Sequence, residues 1–332
     1  MACEYKSCIS TYVTSFLEQQ KATVSSHCFV KRCGILHHFD KYLVETGCKD
    51  CNFTEKTVFG WISKAGEGKR ASTVDGYVGT LRSFFKFLSG FGFYPFMPPY
   101  PKVNDDYIAY EFTDEEINQI FSIADNYVVV PFQTREYIYI QYELPMALRL
   151  LLGCGLRLGE ASTLRLSDID FTNNTLIIRR TKSKEYRLVP MDPSLSDILH
   201  RYCLALGLGK NKDAYIFPGR DYHEPIPTIC FRRYFSRILK KADITQPGIK
   251  KHQRGPCIHC LRHAFAHRSF RKGVDDGWVI NDQIPWLSIY LGHKDLQETE
   301  RYLRSSSELY CNETGSFESY SEEFFPEVSF NG

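Results

Sequence analysis

Apolar residues recur at helical spacing through the first part of the chain and mark out four helices. Over residues 4–21, Tyr12, Val13, Phe16 and Leu17 share one side. Over 24–46, Phe29, Cys33, Leu36, Phe39 and Leu43 form a stripe that ends at Gly47, a residue that stops a helix without strain. Residues 54–63 predict a shorter helix capped by Thr54 and carrying Val58, Phe59, Trp61 and Ile62. Ser72 reads as the cap of a fourth helix that runs to Gly90, with Val74, Tyr77, Val78, Leu81, Phe84, Phe85 and Leu88 facing inward. Each stripe needs a partner, so residues 1–92 are expected to pack as one compact four-helix domain.

The pattern then breaks. Between Phe93 and Pro101 four prolines remove backbone donors and fix φ, which predicts an extended linker over residues 93–112. Thr113 followed three residues later by Glu116 has the form of a capping box and opens a second domain, expected over 113–305. Within it, 141–152 reads as an apolar helix broken by Gly153-Cys154-Gly155, and 156–166 as a short helix bearing Arg157 and Glu160. The runs 176–180 and 186–191, on either side of Thr181-Lys-Ser-Lys-Glu185, predict a hairpin on a small antiparallel sheet. After Pro193 the periodicity is helical again over 195–206, 229–242, 259–272, 284–291 and 296–305, with 274–283 reading as an inserted loop. The expected fold class is mainly α with a small antiparallel β-sheet.

Composition narrows the function. A chain of 332 residues is long enough for two domains that each bury a core. No stretch resembles a signal peptide or reaches the roughly 18 apolar residues of a membrane span, so a soluble, cytoplasmic protein with no membrane partner is expected. The net charge is only +2, but residues 308–332 hold six glutamates and no Lys or Arg. Residues 1–307 therefore carry 41 basic against 33 acidic residues, or +8. A basic body with an acidic tail over 306–332 suits a partner with a phosphate backbone. Twelve cysteines include two pairs at the spacing of a zinc knuckle, Cys48 with Cys51 and Cys257 with Cys260. Neither has a second pair at a familiar distance, so buried thiols and no metal site are expected.

The candidate chemistry centres on residues 292–302, where His293 stands nine residues before Tyr302. A phenol has a pKa of about 10 and is a weak nucleophile unless cations and donors surround it and its target. The chain supplies them at Arg157 with Glu160, at Lys182 with Lys184, and at His259 with Arg262, where i and i+3 share a helix face. Guanidinium forks suit the two non-bridging oxygens of a phosphodiester, whose charge grows as a nucleophile adds. Further cations, Lys69, Arg70 and Lys86 with Ser72 and Thr73 on one side of the linker, and Arg232, Arg233, Arg237, Lys240, Lys241, Lys250, Lys251 and Arg254 on the other, are candidate phosphate contacts.

Arg, Lys, His, Arg, His and Tyr in that chain order resemble the tyrosine site-specific recombinases, also called phage-type integrases. The resemblance rests on Gly155-Leu156-Arg157-Leu158-Gly159-Glu160, His259-Cys260-Leu261-Arg262, and Leu291-Gly292-His293 followed by Tyr302. It implies a SAM-like N-terminal core-binding domain and a phage-integrase-like, DNA breaking-rejoining catalytic domain that together clamp duplex DNA. It further implies that Tyr302 forms a 3′-phosphotyrosyl link, with Arg157, His259, Arg262 and His293 at the phosphate, Glu160 in support, and a hairpin lysine as acid. Lys182 is favoured for that last role, with Lys184 the alternative. No metal or other cofactor is implied. Four protomers would act on two double-stranded sites through a four-way junction, alone or with a partner recombinase or directionality factor.

Two other readings compete. A type IB topoisomerase-like enzyme would use the same chemistry to relax DNA, and a DNA-binding regulator would have lost catalysis, which the complete residue set argues against. The tail, with Tyr310, Phe317, Tyr320, Phe324 and Phe325 among its glutamates, is expected to dock on a neighbouring protomer. The helical stretch begins near residue 4, so binding to remote arm-type sites is not expected.

Overall fold

The computed structural model describes residues 4–103, 109–129, 139–179, 186–219, 223–246 and 255–303. The chain divides into two compact units, Met1–Asp106 and Tyr107–Gly332. Among the described residues no helix is long and apolar enough to cross a membrane.

The first unit holds α1 (Ser10–Thr23), α2 (Ser26–Glu45), α3 (Glu55–Gly66) and α4 (Ala71–Ser89). Their stripes meet in a core in which Phe16, Phe39, Trp61, Phe84 and Phe85 are almost wholly buried. Phe39 meets Phe53 and Trp61 edge-on, each at a ring separation of 5.3 Å, the geometry that aromatic quadrupoles favour. α1 starts six residues later than its pattern suggests, because Asp40 of α2 captures the backbone N–H groups of Lys6 and Ser7 at 2.9 Å each. α4 is capped at Arg70, not Ser72. Ser72 lies inside the first turn, and the Arg70 carbonyl takes the N–H groups of Thr73 and Val74. Phe93 and Phe96, at the start of the proline-rich stretch, pack on this core.

The second unit begins its helices with α5 (Asp114–Asp125), whose Thr113 and Glu116 form a complete capping box. α6 (Ile140–Cys154) runs through Gly153 and stops at Gly155, which adopts φ +61°. A side chain at Gly155 would collide with the Phe265 ring, so the turn requires glycine. α7 is only Leu158–Ser162, shorter than the apolar pattern of 156–166 suggested, and Arg157 immediately precedes it. Strands β1 (Ile169–Asp170), β2 (Thr175–Arg179) and β3 (Tyr186–Pro190) form an antiparallel sheet in that order, with Leu176 opposite Val189 and Ile178 opposite Arg187. The intervening residues, including Lys182 and Lys184, lie outside the described residues.

Five further helices follow: α8 (Pro193–Ala205), α9 (Thr228–Lys241), α10 (Cys260–Asp275), α11 (Ile280–Leu291) and α12 (Gln297–Leu303). The expected inserted loop over 274–283 is not there. α10 continues to Asp275, and only residues 276–279 connect it to α11. Gly277 at φ +84° and the Trp278 N–H to Gly273 carbonyl bond close the turn, while the Gln283 amide donates back to the Trp278 carbonyl at 3.2 Å. The polar run Asn281-Asp282-Gln283 followed by Pro285 looks like a loop by composition, yet α11 runs through Pro285 in its second turn, giving up one backbone donor there.

Candidate active site

Tyr302 is held in a small core of its own. With Leu303 it packs against Ala266 and Phe270 of α10 and Ile284, Leu287 and Leu291 of α11, and it is only 4% exposed. Its hydroxyl nonetheless meets polar atoms. The Arg262 Nε–H donates to it at 3.3 Å, and His293 Nε2 lies 3.5 Å away.

Arg262, on the first turn of α10, is 1% exposed. Such a charge is tolerable only if its donors are used. Nη1 donates to the Gly155 carbonyl at 2.6 Å, and Nη2 to the Leu291 carbonyl at 2.9 Å and to His293 Nε2 at 3.0 Å. Both carbonyls are exposed by helix endings at glycines in the left-handed conformation, Gly155 and Gly292, so the chain breaks that looked like mere punctuation also build the guanidinium's cradle. Burial pulls the Arg262 pKa down from its ordinary value, opposed by Tyr302.

The same contacts fix the proton on His293. Arg262 can only donate, so Nε2 must accept, and Nδ1 carries the hydrogen that reaches Thr299 Oγ1 at 2.6 Å. Burial, then the charges of Arg262, Arg157 and Arg187, hold this imidazole neutral, down to about 3. Thr299 is fully buried one turn before Tyr302, so it locks histidine and tyrosine in register.

Arg157 forms the more open wall. Its Nη1 donates to Glu160 at 3.2 Å and to the Leu291 and Gly292 carbonyls at 3.3 and 3.1 Å, while Nη2 lies 3.6 Å from Glu298 of α12. Its side chain is 36% exposed. His259, just before α10, is exposed and reaches the site through His263. The His259 and His263 rings are 5.1 Å apart, and His263 meets the Tyr302 ring edge-on at 4.7 Å. Among the described residues His263 Nδ1 is buried with no hydrogen-bond partner, and burial together with His259, His267 and Arg262 takes its pKa down to about 3.

Glu160 ties the two arginine walls to the sheet. It accepts the Arg157 N–H at 2.9 Å and both Nη groups of Arg187 at 3.0 and 2.8 Å, and Arg187 Nε donates to the Tyr290 carbonyl at 2.7 Å. Burial alone would raise this carboxyl, but the Arg187 hydrogen bonds and charge, with those of Arg157, hold it at about 2.

The structure therefore gathers Arg157, Glu160, Arg262, His293 and Tyr302, with His259 at the mouth. Lys182, Lys184, Lys250, Lys251, Arg254, Tyr310 and the acidic tail lie outside the described residues. Arg232 and Arg233 are exposed on α9, opposite Phe231, Tyr234, Phe235 and Ile238. Lys69, Arg70, Ser72, Thr73 and Lys86 belong to the first unit and stand on or just before α4. Among the described residues no cluster of His, Cys, Asp or Glu is disposed to hold a metal ion. Sequence reasoning missed Arg187, Thr299 as a hydrogen-bond partner, and His263. For Arg187 a signal existed: in the alternation of β3 it shares the inward side with Val189, and an inward arginine demands an acid.

The Phage integrase family model matches residues 111–308. A putative integrase/recombinase y4rB of Sinorhizobium fredii is 32% identical over 167 residues, covering 48% of this chain and 51% of its own length. A tyrosine recombinase of Thermosipho africanus is 26% identical over 273 residues, or 79% of this chain and 84% of that one. The chain thus spans about half the length of the first relative and most of the second. Among solved structures, the XerH site-specific recombinase bound to palindromic difH substrate in a post-cleavage complex superposes with a TM-score of 0.64 at 16% identity, covering 88% of this chain and 84% of that one. At that identity the likeness shows the fold.

Proposed function

Because the chain belongs to the phage integrase family, whose model spans most of its second unit, we propose that it is a site-specific recombinase that cuts and rejoins duplex DNA through a 3′-phosphotyrosyl intermediate. The observation that carries this reading is a phenol hydroxyl set 3.3 Å from a buried guanidinium and 3.5 Å from an imidazole, with a second guanidinium on the same Leu291 carbonyl.

In this reading the Tyr302 hydroxyl gives its proton to solvent as its oxygen attacks the scissile phosphorus, and the bond to the 5′-oxygen breaks. Negative charge accumulates on the two non-bridging oxygens, where Arg157, Arg262 and His259 act as donors. Arg262 is preorganised by main-chain carbonyls in a water-poor site, where such donors contribute most. Arg157 and His259, the more exposed groups, are the ones that substrate meets first. His293, held at about 3, is too weak a base to keep a proton and acts by positioning Tyr302 and Arg262. The departing 5′-oxygen takes its proton from Lys182, or from Lys184. Attack by the 5′-hydroxyl of the partner strand then reverses the chemistry and conserves bond energy without ATP or a metal.

Four protomers on two sites, exchanging strands through a four-way junction, complete the scheme, and the difH complex of the XerH relative supports its DNA-cleaving part. Arg232 and Arg233, together with Lys69, Arg70, Ser72, Thr73, Lys86, Lys184, Lys250 and Lys251, are proposed DNA contacts. The helical first unit, the linker over 93–112 and the catalytic segment over 113–305 form the proposed clamp. The purified chain alone, tested with and without a partner recombinase or directionality factor, shows whether either is required.

The test is a nicked suicide duplex carrying the DNA junction found beside the coding region. Wild-type protein is expected to form a covalent adduct in excess EDTA, and Tyr302→Phe to form none while still shifting the duplex in a gel. An adduct that persists in Tyr302→Phe and maps to Tyr310, or a strict metal requirement, would overturn the proposal.

A further inference from the structure

Cys257 and Cys260 lie thiol to thiol at the start of α10, with Sγ atoms 3.6 Å apart. The turn between them is already closed, since the Cys260 N–H donates to the Cys257 carbonyl at 2.9 Å. The two residues inside this turn are Ile258 and His259, and Arg262 follows Cys260 by two positions. Cys260 is wholly buried and Cys257 partly exposed. Of the two, Cys257 is therefore the one an oxidant in solution can reach first.

We propose that Cys257 and Cys260 form a modification site, a dithiol that takes an oxidant of the small-disulfide class, such as oxidised glutathione, and closes to a disulfide around His259. The Cys257 thiolate attacks one sulfur of the oxidant and expels one glutathione thiolate, forming a mixed disulfide. The Cys260 thiolate then attacks Cys257 Sγ and expels the second glutathione. The protein pair loses two electrons and two protons, and the oxidant leaves as two thiols. The Cys257 contact and then burial push the Cys260 thiol up, which reserves it for the second step. Once Cys257 is capped, the larger of those two causes is gone.

Closure draws the sulfurs from 3.6 Å to about 2.05 Å and tightens the turn that carries His259. On the reading of His259 as a phosphate donor, on which this effect rests, displacement on that scale costs at least about tenfold in cleavage rate. The consequence is a recombinase that cuts in a reducing compartment and pauses under disulfide stress.

Two readouts on the full chain separate the parts. Reduced protein is treated with oxidised glutathione, free thiols are alkylated, and the tryptic peptide of residues 255–262, which holds both cysteines, is weighed. The expected product lacks two hydrogens and carries no alkyl groups, while suicide-substrate cleavage falls at least about tenfold and returns with dithiothreitol. Cys257→Ser is expected to cleave normally and to keep its rate after oxidant, whereas Cys260→Ala is expected to cleave normally before oxidant and then to stop at the mixed disulfide, its 255–262 peptide carrying one glutathione that dithiothreitol removes. The proposal is overturned if the peptide stays fully alkylated under oxidant that modifies the other cysteines, if the closed peptide accompanies full cleavage, or if Cys257→Ser is inactivated like the wild type. If reduced wild-type protein forms no adduct, the recombinase reading fails, while the peptide mass still decides whether the dithiol closes.

Discussion

The two units bury different things. The interior of the first is built of rings, Phe16, Phe39, Phe53, Trp61, Phe84 and Phe85, and its buried carboxylate, Asp40, is satisfied by nearby backbone N–H groups. The second buries Arg262, Thr299 and Glu143 along with its leucines, and its centre is a chain of donors and acceptors running from Arg187 through Glu160 and Arg157 to Arg262, His293 and Tyr302. An apolar interior loses stability in proportion to the volume removed and keeps its shape. A polar one fails when a single partner goes, because the remaining charge is left buried. The second unit therefore concentrates its fragility in the same few residues that carry the proposed chemistry.

The largest effect should come from removing a buried member of that chain and comparing it with an exposed one. Arg262→Met leaves the Gly155 and Leu291 carbonyls and His293 each with one donor fewer, and should cost about 1–3 kcal/mol of stability for each acceptor left unpaired, along with nearly all cleavage. Arg157→Met should lower adduct formation by about 10²–10³-fold with only a small change in melting temperature, because its side chain already faces solvent. Single-turnover adduct formation and thermal melting, measured on both variants, decide it. Equal loss of stability in the two would erase the distinction between centre and rim.

Next in size is a volume deletion in the ring-filled interior. Phe84→Ala should destabilise the first unit by about 3–5 kcal/mol, read as a lower denaturant midpoint, since Phe84 is fully buried and touches Phe16, Phe85 and Phe87. Phe84→Leu should recover most of that. A polar network would not be rescued by shape alone, and recovery by leucine is what marks an interior held by packing.

The same contrast explains what could be read in advance. Helices α1 to α4 were legible because each carries an uninterrupted apolar stripe, and Leu36, Leu43, Leu81 and Leu88 are indeed wholly buried. Tyr302, His293, Arg262 and Arg157 were legible through motif spacing. Arg187 and Thr299 were not, since each makes sense only through a partner distant in sequence or across a turn. The start of α11 was hidden for a related reason: Gln283 looks solvated by type but is buried, bonded to the Trp278 carbonyl. Ser72 has the preferred side chain for a cap, yet the chain enters α4 through Arg70, whose extended backbone begins the helix without a side-chain bond.

A pH series probes the polar centre more gently. His293 and His263 are held neutral, each down to about 3, by burial first and neighbouring charges second. Between pH 6.5 and 3 the unfolded chain binds protons that these folded imidazoles refuse, so stability falls as pH drops through that window. Glu160, held at about 2 against an ordinary 4.5, adds a second loss as pH falls from 4.5 towards 2. His263→Phe should therefore flatten the melting profile above pH 4.5, whereas Glu160→Gln should flatten only the part below it. An unchanged slope between pH 6.5 and 4.5 in His263→Phe would assign that loss to other groups.

The smallest expected effect concerns the rim. Glu298, on the first turn of α12, holds its carboxylate 3.6 Å from Arg157 Nη2, on the guanidinium that is open to solvent. A substrate phosphate approaching Arg157 must compete with this anion, so loosening the contact should help substrate engage. Both side chains of the pair are 36% exposed, so its contribution to stability is small, of the order seen for surface ion pairs, at most about 1 kcal/mol. Glu298→Gln keeps the size and removes the charge, and is expected to raise the initial rate of adduct formation about two- to fivefold at low salt with an unchanged melting temperature. The gain should shrink as salt rises, because screening weakens the wild-type pair and leaves less to remove. A rate equal to or below that of the wild type at every salt concentration would show that Glu298 helps to orient Arg157 and does not compete with substrate for it.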